Sequence, residues 1–487
     1  MDNRNREILS EDSVQVCTTT VQSLFENGFE YMGEQLKIQI DNYQRDYVWS
    51  NEKVNQLIDD VESHEDQVHY YLGSLLFHRK KGGASGLYII DGQQRLTTLA
   101  ILYYLSRNEI PDHFELKYQS ITSRKNIKQV QKSVNLENAS ELVTKMGRID
   151  VTVTVTDSQD QAFNFFDSQN TRGVRLSATD LLKSYHLRDI GSENGLSEDA
   201  ARRWEKLQSR DKVLIKNPQK DPAFELFERS LWRIRNWTRR NFEYEEWDTV
   251  LNEFEQNRNA GDSKEVTLFP GPKNCNYESL VFGENKEWML KRTPISLGSK
   301  AKNLPVLIPQ PLYDGYFFFL YAEKYSELME ELKDDEDDNI VLKFLSMKDG
   351  VSYYLKELLL NLALAYIDRF GKESENFKKF IELTMLWFLQ NRLERQSFRK
   401  LSPFRMLRDQ INLFGLIEVA YDSWDLLERF KKALVHQENA DKEVEPDLRK
   451  IHNRYIDSME KYLPENWDSL KEKTWKEIYN EFELKDE

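Results

Sequence analysis

The stretch from Leu87 to Leu105 constrains the fold most, because it predicts a strand, a sharp turn and a helix in immediate succession. The short apolar run from Leu87 to Ile90 suits a buried strand. Asp91-Gly92 interrupts this run, and from Gln93 onward the residues are first polar and then apolar. We therefore expect the far end of the helix to build the core and its start to carry the chemistry.

The start of such a helix can bind an anion. Its first backbone N–H groups lack intrahelical partners, and the helix dipole is positive there. Gly92 would let an anionic group approach these amides, and Arg95 could turn its guanidinium toward the same anion. Asp91 could cap the helix or hold a divalent metal. A purely structural alternative, in which Asp91 is an N-cap that pairs with Arg95, is as compatible with the sequence.

Three segments, taken together, resemble the signature of a known family. The first is IIDGQQRLTTL at residues 89–99, which is similar to the DGQQR motif of the nucleotide-dependent domain of GmrSD-type, modification-dependent (type IV) restriction proteins. The second is YQRDYVW at residues 43–49, and the third is FDSQNTRG at residues 166–173, which runs into LSATDLLK at 176–183. The resemblance covers about residues 15–190, and the order of the segments is the expected one.

The resemblance implies a fold similar to ParB and sulfiredoxin, with a nucleoside triphosphate (NTP) bound together with Mg²⁺ and hydrolysed. In this interpretation Arg45 and Arg95 hold phosphates, and Asp91 binds the metal or orients the attacking water. Gln93 and Gln94 would contact phosphate or position water. The other residues expected at the pocket are Tyr43, Gln44, Gly92, Asn170, Thr171, Arg172 and Gly173.

The residues themselves leave alternatives open. Arg45 lies in a predicted extended segment between aromatic side chains, where it could hold a phosphate or a base, pack on Tyr47 or pair with Asp46. Ser177 and Asp180 have the S-x-x-D spacing of a capping box, which favours a structural role for this pair. Asn170 and Arg172 have no comparable local role, so they are expected to complete the pocket or relay its state.

The pattern as a whole predicts an α+β protein. Residues 1–190 are expected to form the ParB-like domain, with a small mixed sheet whose clearest strand is Ile149–Thr156. Residues 191–310 would form a helical and irregular connecting region, and residues 311–487 an α-helical domain. In the connecting region, Arg202 to Arg240 holds twelve Lys or Arg against five Asp or Glu, interleaved with tryptophans. This stretch is either a nucleic-acid or partner surface, or a pair of helices whose basic side chains cover the tryptophans.

Composition excludes several classes of protein. The net charge of −15 argues against a protein that coats nucleic acid everywhere, although it permits a local basic groove. Two distant cysteines, Cys17 and Cys275, predict neither a disulfide framework nor a zinc knuckle. The polar N-terminus lacks a signal-peptide core, and the apolar run Val351–Phe370 contains charged residues, so we expect a cytoplasmic protein without membrane contact.

Catalytic motifs of two other kinds are absent from the sequence. A P-loop of the form G-x-x-x-x-G-K-[ST] does not occur. Related restriction proteins often carry a histidine-metal nuclease domain, but the C-terminal half offers only His436 and His452, which we interpret as surface residues. Either the nuclease is on another polypeptide or this protein does not cut DNA. The resemblance implies DNA, such as modified phage DNA, and a separate nuclease subunit as partners. A homo-oligomer, a non-catalytic ParB-like switch and, as the weakest alternative, a DNA nickase are left open.

Overall fold

The computed structural model divides into two compact units, residues 1–180 and residues 181–487. It describes residues 14–40, 44, 46–64, 68–79, 86–118, 120–158, 161–162, 177–190, 195–209, 222–255, 278–282, 288–292, 300–332, 339–347, 351–372, 375–394, 398–444, 450–459 and 467–484. The boundary falls within the helix Ala178–Ile190. The expected division of the later residues into 191–310 and 311–487 stays a prediction.

Within the described residues of the first unit, seven strands form one mixed sheet. They are β1 (Val14–Thr20), β2 (Phe29–Tyr31), β3 (Glu34–Gln39), β4 (Tyr70–Arg79), β5 (Gly86–Asp91), β6 (Phe114–Glu115) and β7 (Ile149–Thr156). The order is β1-β7-β4-β5-β3-β2, with β6 beside β3. β4 and β5 form an antiparallel pair, whereas β7 runs parallel to β4 and β3 runs parallel to β5. The predicted α+β class is confirmed.

Helices of the first unit pack on this sheet as the sequence pattern predicts. They are α1 (Val21–Asn27), α2 (Asn51–Glu62), α3 (Gln93–Arg107), α4 (Ile121–Ser133) and α5 (Leu136–Lys145), followed by a 3-10 turn, Met146–Arg148. The apolar positions of α2 are buried in the core of the unit, and so are alternate residues of β7. This burial explains why β7, with its strict alternation of β-branched residues, was the clearest strand in the sequence.

The second unit is mostly helical in the part of the chain that the structure describes. Its α-helices are Leu196–Gln208, Pro222–Phe224, Trp232–Thr238, Trp247–Glu255, Tyr316–Glu331, Ile340–Ser346, Tyr353–Phe370, Glu375–Leu393, Ser402–Arg405, Leu413–Val419, Ser423–Val435, Lys450–Met459, Trp467–Leu470 and Trp475–Glu481. Shorter elements are the π-helical turns Glu225–Leu231 and Met406–Gln410, the 3-10 turn Ala301–Asn303 and the β-hairpin Glu278–Phe282/Trp288–Arg292. Among the described residues, none of the helices is long and apolar enough to span a membrane.

The sequence missed two features of the structure, and one predicted helix is interrupted. The short helix expected within Val14–Gly28 is α1, but the strand β1 before it, which pairs with β7 along its whole length, was not predicted. The pairing of Glu278–Phe282 with Trp288–Arg292 was not predicted either. The last predicted helix, Trp467–Phe482, is broken, because Thr474 and Glu477 form a capping box that starts a new helix at Trp475.

The tryptophans of the basic stretch lie in the interior of the second unit. Trp204, Trp232 and Trp237 are all buried. Arg233 is only 1% exposed; it donates from Nε and Nη2 to Glu245 and from Nη1 to Glu357, at 2.8–2.9 Å. The described part of the stretch therefore supports the internal alternative, in which basic side chains pair inside the unit and cover the tryptophans.

Candidate functional site

The predicted turn between strand and helix has the backbone geometry that its sequence suggests. Asp91 is the last residue of β5, and Gly92 is the N-cap of α3 with a left-handed backbone (φ 87°). The first helical hydrogen bond joins Leu96 N to Gly92 O at 2.9 Å. A Cβ at position 92 would overlap Leu75 Cδ2, so the turn needs glycine for space as well as for conformation. The alternative in which Asp91 caps the helix is wrong, since Gly92 occupies the N-cap.

Arg95 reaches back from the first turn of α3 to the neighbouring strand β4. Its Nη1 donates to Leu72 O at 3.0 Å, and its Nη2 donates to Ser74 O at 2.8 Å and to Asp91 Oδ2 at 3.3 Å. Between these two carbonyls lies Gly73 (φ 112°), where a Cβ would overlap Arg95 Nη1. Gly73 is thus the residue that makes room for the guanidinium.

An irregularity in β4 provides one of these acceptors. In the parallel ladder with β7, Tyr71 pairs with Asp150 and Gly73 pairs with Val151, so Leu72 is an extra residue in β4. A second register shift lies in the ladder between β4 and β5, where Leu76 pairs with Asp91 and Phe77 with Ile89, so Ile90 is an extra residue in β5. β-Bulges are common next to active sites, because they change the direction of side chains and free backbone groups that would pair in a regular ladder.

Two glutamine side chains fasten the second motif segment to the first. Gln94 accepts from Val48 N with Oε1 and donates to Asp46 O with Nε2, both at 2.9 Å, which imitates the pairing of another strand. Gln44 Nε2 donates to Ile89 O at 2.7 Å, at the end of β5. The structure therefore brings together two sequence motifs that lie some forty residues apart.

Residues outside the three motifs complete this attachment. Ser123 Oγ accepts from Tyr47 N at 3.0 Å and donates to Asp46 Oδ1 at 2.7 Å. Asn126 Nδ2 donates to Tyr47 O at 2.8 Å, and the Tyr47 hydroxyl is 2.8 Å from Thr98 Oγ1. Sequence analysis missed Ser123 and Asn126, because polar residues on a helix such as α4 carry no signal of a distant partner.

The polar first turn of α3 faces buried tyrosines. Gln93 Nε2 donates to the Tyr118 hydroxyl at 3.0 Å, and Thr97 Oγ1 lies 2.7 Å from the same oxygen. Burial raises the pKa of Tyr47 to about 12 and raises the pKa of Tyr118 further, although hydrogen bonds oppose both shifts. Both phenols are therefore neutral hydrogen-bonding groups at physiological pH.

The predicted site residues differ in their access to solvent. The Asp91 and Arg95 side chains are 28% and 23% exposed, whereas Gln93 and Gln94 are buried. The structure brings Gln44, Asp91, Gly92, Gln93, Gln94 and Arg95 together. Tyr43, Arg45, Asn170, Thr171, Arg172 and Gly173 lie outside the described residues. Their roles, like the catalytic and metal-binding roles of the others, stay predictions.

The pair near the third motif segment has the contacts of a helix cap. Ser177 Oγ accepts from Asp180 N at 3.1 Å and donates to Asp180 Oδ2 at 2.7 Å. This is the side-chain-to-backbone bond expected at an N-terminus, at the start of the helix Ala178–Ile190. The structural interpretation of these two residues is supported.

Two family models match the chain, one after the other. Residues 22–187 match the model described as the GmrSD restriction endonuclease, N-terminal domain. This part of the chain is a GmrSD-type N-terminal domain. Residues 196–445, more than half of the chain, match a family of unknown function (DUF7834), so the chain belongs to that family. No curated protein matches the chain.

The GmrSD-type match contains the whole of the assembly described above. Residues 43–49, 89–99 and 166–173 all fall within its range. The predicted resemblance to the GmrSD-type family is thereby confirmed for this domain. The match to a family of unknown function assigns no activity to the second unit.

Truncating Gln94 tests whether it fastens the second motif segment of this GmrSD-type domain. We expect Gln94→Ala to lower the free energy of unfolding by about 1–3 kcal/mol, because Asp46 O and Val48 N lose their partner in a partly buried site. Urea denaturation measures this change. The matched control is Gln129→Ala on the exposed face of α4, expected within about 0.5 kcal/mol of wild type. Equal losses in both variants would contradict the assignment.

Proposed function

We propose that the GmrSD-type domain binds an NTP with Mg²⁺ at the Asp91–Gly92 turn and hydrolyses it. In this proposal the hydrolysis serves an antiviral restriction system that acts on foreign, modified DNA. The observation that carries the proposal is the convergence of the Gln44–Val48 segment with Asp91 and Arg95 at the start of α3. This convergence favours a binding pocket, because polar side chains from separate segments lie around one helix N-terminus.

The chemistry of the turn fits a phosphate ligand and its metal. A helix N-terminus attracts anions through its unpaired amides and its dipole. Mg²⁺ is commonly held in NTP sites by one or two carboxylates together with the substrate phosphates. Asp91 supplies one partly exposed carboxylate beside the helix start. The residues present therefore fit the group that the proposal requires.

Arg95 has a more limited role than a free phosphate clamp. Its described contacts use three of the five N–H groups of the guanidinium. In the proposal Arg95 therefore holds the Asp91 carboxylate and the turn in place, and contacts phosphate only with its remaining N–H groups. Such positioning is a large part of how phosphoryl transfer is assisted.

Phosphate release from ATP, GTP, CTP and UTP with Mg²⁺ tests the proposal. The full chain is assayed with and without modified phage DNA, alongside Asp91→Asn. We expect Asp91→Asn to lower turnover about 100-fold, because an amide is a poor Mg²⁺ ligand and carries no charge. The matched control is Asp112→Asn, an exposed aspartate of the same domain, expected to keep wild-type turnover. Absence of turnover with all four nucleotides would overturn hydrolysis.

A non-catalytic switch is the second candidate, and the engagement of Arg95 favours it. A guanidinium already bonded to Leu72 O and Ser74 O is suited to holding a fold together, and a bound nucleotide could act only by shifting that arrangement. Tight NTP binding without phosphate release, weakened in Asp91→Asn, would establish the switch. In both proposals DNA is cut by a separate nuclease subunit, so metal-dependent nicking by the purified chain would refute this division of labour.

A further inference from the structure

We propose that His186, Asp189 and Asp314 bind a divalent transition-metal cation in the second unit. A ring nitrogen of His186 and a carboxylate oxygen of each aspartate lie within 4.8 Å of one another. The three residues play no part in the nucleotide proposal.

His186 is a buried imidazole with one committed and one uncommitted nitrogen. The side chain is 0% exposed, and Nε2 lies 3.1 Å from the carbonyl oxygen of Phe254. Since a carbonyl can only accept, Nε2 carries the proton and Nδ1 carries the lone pair. Among the described residues, Nδ1 has no hydrogen-bond partner. A buried acceptor left unpaired costs free energy, which a metal ion at Nδ1 would recover.

The same contacts are those of a typical metal-ligating histidine. Such residues usually donate their second ring N–H to a backbone carbonyl or carboxylate, which fixes the tautomer and the ring orientation. Here Phe254 O is that acceptor, and Phe318 stacks on the ring with centroids 3.8 Å apart. With its proton on Nε2, the imidazole presents the Nδ1 lone pair to a metal ion.

The two aspartates reach the imidazole from different directions. Asp189 follows His186 by three residues on the helix Ala178–Ile190, which places both on one helical face. Asp314 precedes Gly315, whose left-handed backbone (φ 71°) packs directly against the end of that helix. A Cβ at position 315 would be in ordinary contact with Ile190 Cγ1 at 3.4 Å, so it is the backbone conformation, not the space, that favours glycine here. The contact with Ile190 places Asp314 beside Asp189.

The surroundings of the cluster favour a cation. Carboxylate oxygens of Asp189 and Asp314 lie within 4.8 Å of each other. The nearby cation Arg188 has its Nε 3.9 Å from Asp189 Oδ1. A divalent cation between the two carboxylates would relieve their repulsion.

The donor set indicates the class of metal. One imidazole with two carboxylates suits Mn²⁺, Fe²⁺ or Zn²⁺ better than Mg²⁺ or Ca²⁺, which prefer oxygen ligands alone. Metal–ligand distances in such sites are about 2.0–2.2 Å.

Calorimetric titration of the chelator-treated full chain with Mn²⁺ and with Zn²⁺ tests the site. We expect one ion per chain to bind in wild type, and affinity to fall at least tenfold in both Asp189→Asn and Asp314→Asn. Asp468→Asn, at a side chain that is 83% exposed, is the matched control. Asp91→Asn should also keep the binding, which separates this site from the nucleotide proposal. Circular dichroism checks that each variant is folded.

Two results would overturn the proposal. One is that wild type takes up neither ion. The other is that the two aspartate variants bind as tightly as the Asp468→Asn control. His186→Gln is expected to lose the site as well, but because it alters a buried stacked ring it is used only if it folds. The aspartate variants decide the question without it.

Discussion

We expect Arg233→Met to lower the free energy of unfolding of the second unit by about 3–5 kcal/mol, the largest effect of any single substitution proposed here. The change removes the guanidinium that pairs with Glu245 and Glu357 and leaves two buried carboxylates behind. Arg229, which lies 3.1 Å from Glu245 and 3.6 Å from Glu357, offsets part of the loss. Denaturant unfolding followed by tryptophan fluorescence measures it, because Trp237 lies beside Arg233.

A matched exposed arginine provides the control. Arg202 pairs with Asp199 at 3.1 Å but is 67% exposed, so Arg202→Met should cost less than about 1 kcal/mol.

The wild-type network also predicts a pH dependence. Burial acts to raise the pKa of Glu245, but Arg233, Arg229 and a backbone hydrogen bond together more than offset this, so the pKa is lowered. The stabilisation is therefore present above the unfolded-state pKa of a glutamate and lost as pH falls through the lowered value. Similar losses in both arginine variants would contradict the assigned burial.

Arg95→Lys should lower NTP turnover about 100-fold if the proposed nucleotide site is correct. Lysine keeps the charge, but its compact ammonium cannot reproduce a planar fork that bonds Leu72 O, Ser74 O and Asp91 at once. The carboxylate of Asp91 would then lose its fixed position. Phosphate release under saturating NTP measures the effect.

Two further variants sharpen this result. Gly73→Ala keeps Arg95 but adds a Cβ where Nη1 lies, so it should reproduce the loss without touching a charged residue. Arg107→Lys, at the exposed C-terminal end of the same helix, should turn over NTP like wild type. If Gly73→Ala were as active as wild type while Arg95→Lys was not, the proposed positioning role would be refuted, and a direct phosphate contact would replace it.

The sequence predicted those strands and helices of the first unit whose structure follows from the residue pattern of a single segment. The alternation in β7 and the strand–glycine–helix sequence of β5 and α3 specify their own structures, because side-chain periodicity decides which face is buried. β1 was missed because its residues, VQVCTTT, become a strand through pairing with β7, 130 residues away in the chain. Propensity alone cannot report such a partner.

The sequence indicated where the candidate site lies in the chain, but not which hydrogen bonds its side chains make. The motif letters correctly indicated that Asp91 and Arg95 lie side by side, since i and i+4 residues at a helix start are neighbours. They could not show that Gln94 is used to hold Asp46 and Val48, because that bond crosses between distant segments. For a similar reason, the sequence did not indicate a grouping of His186 with Asp189 and Asp314. Asp189 is close to His186 in the chain, but Asp314 is far from both.

Because Leu72 is an extra residue in β4, the number of residues in this strand matters for the candidate site as much as their identity. Deleting one residue there would restore an uninterrupted ladder with β7, but it would turn the side chains on one side of the deletion to the opposite face of the sheet. It would also take away the carbonyl that receives Arg95. Two proteins could therefore share all five letters of DGQQR and still differ in whether the arginine has an acceptor, so searches for relatives should score the spacing in β4 together with the motif.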